Sequence, residues 1–133
     1  MKSFHLKIAT PDGLEFEGEV ESLLVRTAEG DAEILAGHTD FLSSLGTGRV
    51  RITAGGEKRF ASASGGFVSV KGGDVSLVPV TFEFADDIDV KRAKAAKEKA
   101  EAELAAADKS AEALLKAKLA RAINRINVWE LNK

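Results

Sequence analysis

The chain has 133 residues, of which 44% are apolar, and its 19 basic and 21 acidic side chains give a formal net charge of -2. A chain of this length fits one ordinary domain, or a small domain with an appendage, and the charge balance gives no general nucleic-acid surface. The absence of cysteine excludes disulfides, thiolate metal sites and cysteine nucleophiles, and two histidines argue against a zinc or iron site built from imidazoles.

Aromatic content and hydropathy limit the partners further. Aromatic residues make up 6% of the chain and tyrosine is absent, which argues against a platform on which single-stranded nucleic acid stacks. We expect no nucleic-acid partner. No apolar run is long enough to cross a bilayer, and the start Met-Lys-Ser-Phe-His lacks the apolar core of a signal peptide. We therefore expect a cytoplasmic chain unless a partner places it elsewhere.

Residues 1–85 have the pattern of an antiparallel β-sandwich domain. Apolar and polar residues alternate from Phe4 to Ile8, which predicts a half-buried strand. Gly55-Gly56 has the right length for a two-residue hairpin turn. Similar turn signals recur at short regular intervals, which is typical of sandwiches and barrels rather than of βαβ units. We expect about nine or ten short strands in this range.

The pattern changes at Asp86-Asp87-Ile88-Asp89, where an Ala/Lys/Glu helical pattern begins. At a helix N-terminus, clustered carboxylates face the positive end of the macrodipole, and one of them can cap free N–H groups. We predict a helix start here, with Asp87 or Asp89 as the N-cap. Residues 86–133 then form a helical domain of two antiparallel helices.

The two predicted helices differ in the size of their apolar residues. An alanine stripe on one helix covers a stripe of larger residues poorly, because each buried methylene contributes only about 0.8 kcal/mol. The hairpin alone should be weak, so a movable hairpin is one interpretation and static docking on the sandwich is the other. Asp108 or Ser110 begins the second helix. The stripe of the first helix consists of Ala93, Ala96, Ala100, Leu104 and Ala107, and the stripe of the second helix consists of Leu115, Leu119, Ala122, Ile126 and Trp129.

Basic residues share one face of the second helix. Lys118, Arg121 and Arg125 follow one another at helical spacing, and like charges at this spacing weaken a helix unless something negative compensates them. They form either a solvated face or a site for an anionic partner. That partner is an acidic protein segment, or a polyphosphate held jointly with Arg92 and the first helix, because guanidinium groups form bidentate contacts with phosphate. One function that this face indicates is a stand-alone β-sandwich adaptor whose basic helices bind an acidic protein partner.

A catalytic interpretation rests on His38, which lies close to Asp40 and Asp31 in sequence. A histidine beside a carboxylate has the chemistry of a general base. No serine or threonine has the pattern of a nucleophile elbow, however, and a histidine in a loop is commonly a surface or packing residue. Hydrolase activity at His38 is therefore a weakly supported interpretation.

Several stretches match the motifs of a known family. They are GDAEILAGH at 30–38, LSSL at 42–45, GRVRI at 48–52, SGGF at 64–67 and the ending INVWEL at 126–131. Through them the chain resembles the epsilon subunit of the F-type ATP synthase over essentially its whole length. One departure is Ala36, where the family usually has proline before Gly-His, and we expect a less rigid loop there.

The resemblance implies a fold, a place and a set of partners. The fold is an N-terminal β-sandwich of about ten strands followed by a two-helix hairpin. Such subunits are non-catalytic, bind the gamma subunit and the c-ring at the foot of the central stalk, and turn with the rotor during proton- or sodium-driven ATP synthesis. Membrane association arises only through the complex, at the cytoplasmic face of the cell membrane. The loop around Asp31 and His38 matches the family's ring-facing loop, so both are implied c-ring contacts.

The resemblance also implies regulation by the hairpin. In the family the hairpin is either compact or extended along gamma toward the alpha and beta subunits, where it restrains ATP hydrolysis. The sequence IDVKRA at 88–93 matches the Ile/Leu-Asp-x-x-Arg-Ala motif of members whose compact form binds ATP. No cofactor is required, but a regulatory ATP is implied, with the need for Mg²⁺ open.

The nucleotide contacts follow from that motif and from basic residues of both helices. Family members that bind ATP favour arginine at position 99, and lysine there keeps the charge but loses the bidentate geometry. We therefore expect a reduced affinity. The implied nucleotide-binding residues are Ile88, Asp89, Arg92, Ala93, Lys99, Arg121 and Arg125.

Overall fold

The computed structural model describes residues 2–133, in which ten β-strands are followed by two α-helices. The prediction of a β-sandwich with a C-terminal helical hairpin is confirmed. In the described chain, neither helix combines the length and the apolar content needed to cross a membrane. The elements are β1 (Phe4–Thr10), β2 (Gly13–Val20), β3 (Ser22–Thr27), β4 (Gly30–Leu35), β5 (Phe41–Ser44), β6 (Gly48–Ala54), β7 (Glu57–Ser64), β8 (Phe67–Lys71), β9 (Asp74–Val78), β10 (Thr81–Phe84), a short 3-10 helix (Ala85–Asp87), α1 (Val90–Ala106) and α2 (Lys109–Leu131).

The strands form two five-stranded sheets that enclose one core. The first sheet has the order β2-β1-β9-β8-β5 and the second has the order β10-β7-β6-β3-β4. Strands β1 and β9 pair in parallel, and the other pairs in the described chain are antiparallel. Because successive residues of a strand point to opposite faces, the alternating apolar residues meet between the sheets. The most deeply buried of them are Leu6, Ile8, Val20, Leu23, Val25, Ile34, Val68 and Leu77.

Three glycines show how turn chemistry fixes the strand connections. Gly55 and Gly56 have φ of 59° and 79° between β6 and β7, so the predicted two-residue hairpin is confirmed with the left-handed backbone that such turns require. Gly66 has φ of 79°, and a Cβ on it would overlap the carbonyl oxygen of Val78. Only glycine fits there without displacing the backbone of the neighbouring strand.

The outer face of the second sheet is charged where β3, β4 and β6 meet. Arg26 Nε lies 3.1 Å from Asp31 Oδ1, and Arg49 Nη2 lies 3.5 Å from Asp31 Oδ2. Arg51 and Glu33 form a further ion pair one row away. Antiparallel pairing places these side chains side by side across the three strands. Helix α2 packs on β6 and β7, and the C-terminal part of α2 lines a cleft together with Arg26 and Arg49 at the edge of this charged face.

Helix α1 begins at the acidic cluster. The Asp89 side chain accepts a hydrogen bond from the backbone N–H of Arg92 at 3.1 Å, so Asp89 is the N-cap and Asp87 is not. Asp86 and Asp87 lie in the short 3-10 helix, where Asp86 Oδ1 accepts a hydrogen bond from Asn132 Nδ2 at 2.7 Å. The acidic cluster therefore both starts α1 and holds the end of α2.

Helix α2 begins after a two-residue connection, and its N-cap is Asp108. The Asp108 carboxylate accepts hydrogen bonds from the Ser110 hydroxyl at 2.6 Å and from the backbone N–H groups of Ser110 and Ala111 at 3.1 and 3.2 Å. Of the two predicted caps, Asp108 is the one observed. The Ser110 hydroxyl, and after it the Ala111 N–H, hold the pKa of Asp108 below its usual range because they stabilise the charged form.

Acidification should fray the start of α2. Since the pKa of Asp108 is lowered in the folded chain, its stabilisation is complete above the ordinary pKa and is lost as the pH falls through the lowered value, that is, below about 4. Asp108→Asn keeps a capping oxygen that does not titrate. In this variant, the protection of the Ser110 and Ala111 amides from exchange should therefore not decrease as the pH falls below about 4. Equal pH dependence of fraying in both proteins would contradict this role. Asp108→Ala should fray α2 at every pH.

The two helices meet along a seam of small residues. Ala93 and Ala100 of α1 and Leu115 and Ala122 of α2 are buried, as the predicted stripes require. Ala96 of the first stripe is exposed instead. The seam therefore buries few methylene groups, and it holds the hairpin together weakly.

Near its C-terminus α2 packs against the chain segment that precedes α1. Val128 is fully buried in a small cluster with Ala85 and Ile88, whereas Trp129 is only partly buried against it. The predicted stripe named Trp129 and missed Val128, because this part of α2 contacts the sandwich end as well as α1. Lys133 Nζ lies 4.1 Å from the centroid of the Trp129 ring.

Polar contacts attach the middle of α2 to the sandwich. Asn124 Nδ2 donates to the carbonyl oxygen of Gly48 and to the hydroxyl of Ser62, both at 2.9 Å. One residue later, Arg125 Nε donates to Glu83 Oε1 at 2.9 Å. Each contact contributes about 1 kcal/mol. The hairpin is thus compact and docked on the sandwich through a small number of contacts.

Candidate functional site

A cleft of about 480 Å³ lies between the hairpin and the edge of the second sheet. Its walls come from β7 and β10 on one side and from α1 and α2 on the other. The cleft therefore exists only while the hairpin is docked. The sheet wall consists of Ser62, Ser64, Thr81, Phe82 and Glu83, and the helix walls consist of Ala96, Lys99, Ala100, Glu103, Lys118, Arg121, Ala122 and Arg125.

The cleft has an excess of two positive charges, from four cationic and two anionic lining residues. Arg125 is bonded to Glu83 at the sheet wall, and Lys99 Nζ lies 3.9 Å from Glu103 Oε1. In the described residues 2–133, Arg121 has no ion-pair partner within 4.0 Å, and its side chain is partly buried. A cleft with uncompensated guanidinium and ammonium groups is suited to an anion.

Three of the predicted nucleotide-binding residues meet in this cleft. Lys99 comes from α1, and Arg121 and Arg125 come from α2. They are brought together because the antiparallel helices place the middle of α1 beside the middle of α2. The sequence spacing of the basic residues on α2 had indicated their common face.

The other predicted nucleotide-binding residues lie outside the lining of the cleft. Ile88 and Ala93 are only 7% and 0% exposed, because they pack at the junction and in the helix seam. The Asp89 carboxylate caps α1. Arg92 is exposed on α1, one turn before Ala96 and on the same helix face. These four residues shape the start of α1, which carries one wall of the cleft.

The sequence interpretation missed the two acidic residues of the cleft, Glu83 and Glu103. It named Lys118 on the basic face of α2 but did not include it among the implied nucleotide-binding residues. Glu83 had no sequence signal, since its place depends on the pairing of β10 with β7, which sets it opposite Ser62. Glu103 follows Lys99 at i+4, a spacing that indicates an ion pair but not a cleft.

The two predicted c-ring contacts lie at opposite ends of β4. Asp31 is in the strand rather than in a loop, and its side chain is about one-third exposed beside Arg26 and Arg49. His38 follows the other end of the strand, in the connection to β5. A strand of six residues spans about 17 Å. A single partner surface would have to lie along β4 to contact both residues.

The environment of His38 does not have the arrangement of a general base. Its Nδ1 is 2.7 Å from the carbonyl oxygen of Thr39, and its ring packs edge-on against Phe41. The Asp40 carboxylate accepts a hydrogen bond from the backbone N–H of Gly72 instead of orienting the imidazole. Within the described chain this histidine has the contacts of a packing residue in a loop.

Comparisons with known proteins place the whole described architecture in one family. A family model described as the β-sandwich domain of the ATP synthase delta/epsilon chain matches residues 3–85, and a model of its long α-helix domain matches residues 86–130. The ATP synthase epsilon chain of Bacillus pumilus is 38% identical over 128 residues, covering 96% of this chain and 98% of that one. The epsilon chain of Staphylococcus haemolyticus is 36% identical over 132 residues, covering 98% and 99%.

Solved structures agree with the sequence relatives. A chain of the Euglena gracilis mitochondrial ATP synthase, in an assembly of OSCP, F1 and c-ring, superposes with a TM-score of 0.80 at 26% identity, over 89% of this chain and 76% of that one. A chain of the central stalk and c-ring of Tetrahymena thermophila ATP synthase shares the fold, with a TM-score of 0.56 at 17% identity, over 68% and 71%. From the matched domains and the near full-length relatives, the chain belongs to the delta/epsilon chain family of ATP synthase.

Proposed function

We propose that the chain joins the gamma subunit to the c-ring in the central stalk of an F-type ATP synthase and turns with the rotor during ion-driven ATP synthesis. Epsilon chains are structural or regulatory subunits and are not themselves catalytic. Family membership over both domains supports this role, as does the similarity to a chain from an assembly that contains F1 and a c-ring. In this role the chain lies at the cytoplasmic face of the cell membrane, held there by its partners.

Asp31 and His38 are the proposed c-ring contacts. The Asp31 side chain is about one-third exposed, and its partners Arg26 and Arg49 line a cleft that they share with the C-terminal part of α2. The network of Asp31 with Arg26 and Arg49 offers charges of both signs to a polar partner. Such a surface favours specificity and orientation more than affinity.

The hairpin is proposed to restrain ATP hydrolysis when it leaves the sandwich and extends along gamma toward the alpha and beta subunits. The small-residue seam and the few docking contacts of α2 support a hairpin that can be released at modest cost. The sandwich core is a separate apolar cluster that the helices do not complete. Release of the helices therefore leaves the stalk-binding domain intact.

ATP is the proposed ligand that holds the hairpin compact. The observation that carries this proposal is the cationic cleft, whose walls come from both domains. A ligand that fits only the docked arrangement shifts the population toward it by its difference in affinity for the two forms. At a concentration 100 times its Kd, such a ligand stabilises the compact form by about 2.7 kcal/mol.

Arg121→Ala should weaken ATP binding by the isolated chain about 10- to 100-fold. Arg121 is the guanidinium of the cleft that is not committed to a carboxylate of the described chain, and a hydrogen bond between charged groups contributes about 1.5–3 kcal/mol. Isothermal titration calorimetry of the full chain with ATP, with and without Mg²⁺, measures the change.

The matched control is Lys116→Ala. This lysine is on the same helix, is 62% exposed, and pairs with Glu112 outside the cleft, so its loss should leave ATP affinity within about twofold. Equal losses in the two variants would contradict the cleft as the site. Absence of ATP binding by the unaltered chain would contradict the nucleotide role itself.

A further inference from the structure

A second cleft, which we call the α2-end cleft, lies between the C-terminal part of α2 and the charged outer face of the second sheet. Its volume is about 420 Å³. The sandwich wall includes Arg26 and Arg49, whose guanidinium groups also hold the Asp31 carboxylate at 3.1 and 3.5 Å. The opposite wall is the last two turns of α2 and includes Glu130. The two arginines therefore pair with Asp31 and, across the cleft, face the end of α2.

The end of α2 carries negative charge that basic residues of its last turn do not compensate. That turn contains no lysine or arginine, although the C-terminal end of a helix macrodipole carries about half a negative charge. Glu130 adds a carboxylate that has no ion-pair partner within 4.0 Å among residues 2–133. Lys133 follows the helix, and its ammonium lies over the Trp129 ring. The sandwich wall has two guanidinium groups against the single carboxylate of Asp31, so the two walls attract each other.

Gly48 connects the arginines to the docking contacts of α2. A Cβ at this position would overlap the Cβ of Arg26, so the aliphatic part of the Arg26 side chain lies directly against the Gly48 backbone. The carbonyl oxygen of Gly48 accepts the hydrogen bond from Asn124 of α2 at 2.9 Å. Asp31, Arg26, Gly48 and Asn124 thus form a continuous series of contacts from the outer face of the sheet to the helix.

We propose that Arg26 and Arg49 couple the Asp31 surface to the docking of the hairpin. A cationic group of a partner that pairs with Asp31 neutralises its carboxylate and leaves both guanidinium charges to attract the end of α2. Occupation of this surface therefore favours the docked hairpin, and by thermodynamic reciprocity the docked hairpin binds such a partner more tightly by the same factor. The inference rests on two parts of the proposed function, the contact at Asp31 and the release of the hairpin, and adds a link between them.

The test is native-state hydrogen exchange of the full chain, measured at the α2 amides of residues 124–128. Asp31→Asn mimics the neutralised carboxylate and should raise the protection of these amides about two- to threefold, a small factor because the charges are partly exposed. The double variant Arg26→Gln/Arg49→Gln should lower their protection by a similar factor, and in that background Asp31→Asn should have no effect. All three changes lie in the sandwich, so the sequence of α2 is unaltered. Raising the salt concentration should shrink the Asp31→Asn effect.

Glu33→Gln is the matched control, because Glu33 lies on the same strand and pairs with Arg51, which is outside the lining of the cleft. Protection of α2 should be unchanged in this variant. An increase equal to that in Asp31→Asn would overturn the coupling, since any lost carboxylate would then have the same effect.

Two further results would overturn the coupling and leave the release of the hairpin standing. One is an unchanged protection of α2 in Asp31→Asn. The other is a persistent effect of Asp31→Asn without the two arginines, because Asp31 would then act on α2 directly. Exchange of the α2 amides only together with those of β3 and β6 would overturn the release and the coupling together.

Discussion

The Val128→Asp variant should lose its docked hairpin while the sandwich stays folded. Val128 is fully buried with Ala85 and Ile88, and an unpaired carboxylate in that position costs on the order of 3 kcal/mol or more. The polar contacts of α2 that remain contribute about 1 kcal/mol each. They are those of Asn124, Arg125 and Asn132. Helix α2 avoids the cost of burying this carboxylate if it leaves the sandwich. We therefore expect the hairpin to undock while the sandwich stays folded.

Hydrogen exchange measures this release directly. Amides of α1 and α2 should lose protection in Val128→Asp, and amides of the core strands β3 and β6 should keep it. Leu114→Asp is the matched control, because Leu114 lies on the same helix and is 60% exposed. Protected α2 amides in Val128→Asp, or loss of protection in strands and helices together, would show that the hairpin is an inseparable part of the fold.

The Gly66→Ala variant should destabilise the sandwich by about 3 kcal/mol or more. Its φ of 79° is in the left-handed region, and the added Cβ would overlap the carbonyl oxygen of Val78. The obstacle is backbone, so it cannot move aside as a side-chain end would. The strain falls on the connection between β7 and β8, which joins the two sheets.

Urea denaturation monitored by far-ultraviolet circular dichroism tests the Gly66 prediction. Gly72→Ala is the control, since Gly72 has a φ of 58° and open space around the added Cβ. The control therefore has the backbone strain without the overlap, and it should lose about 1 kcal/mol. Similar free energies of unfolding for the two variants would mean that the contact with Val78 relaxes easily.

Local signals made most of the fold predictable from the sequence. The turn at Gly55-Gly56 and the cap at Asp89 depend on residues within one turn of each other, so a short stretch of sequence contains the whole cause. The alternation in β1 likewise reports burial directly. The helical period alone predicted the alanine seam between the helices. It wrongly placed Ala96 among the buried residues and missed Val128, because the period does not show whether a helix is buried on one side or on two.

The site was less predictable because it depends on distant pairings. Glu83 reaches Arg125 across 42 positions of the chain, and Asn124 reaches Gly48 across 76. These contacts require the order of strands in the second sheet and the place where α2 docks, and neither has a local sequence signal. Basic residues on one helix face were predictable, but the acidic and hydroxyl groups opposite them were not.

Trp129 lies where the hairpin meets the sandwich, half-buried and with the Lys133 ammonium over its ring. It is the single tryptophan of a chain without tyrosine, so ultraviolet emission from this protein has essentially one source. Undocking of the hairpin exposes the indole ring of Trp129 to water. The emission wavelength of Trp129 therefore reports whether the hairpin is docked, and stopped-flow mixing can measure the rate of undocking without an attached dye.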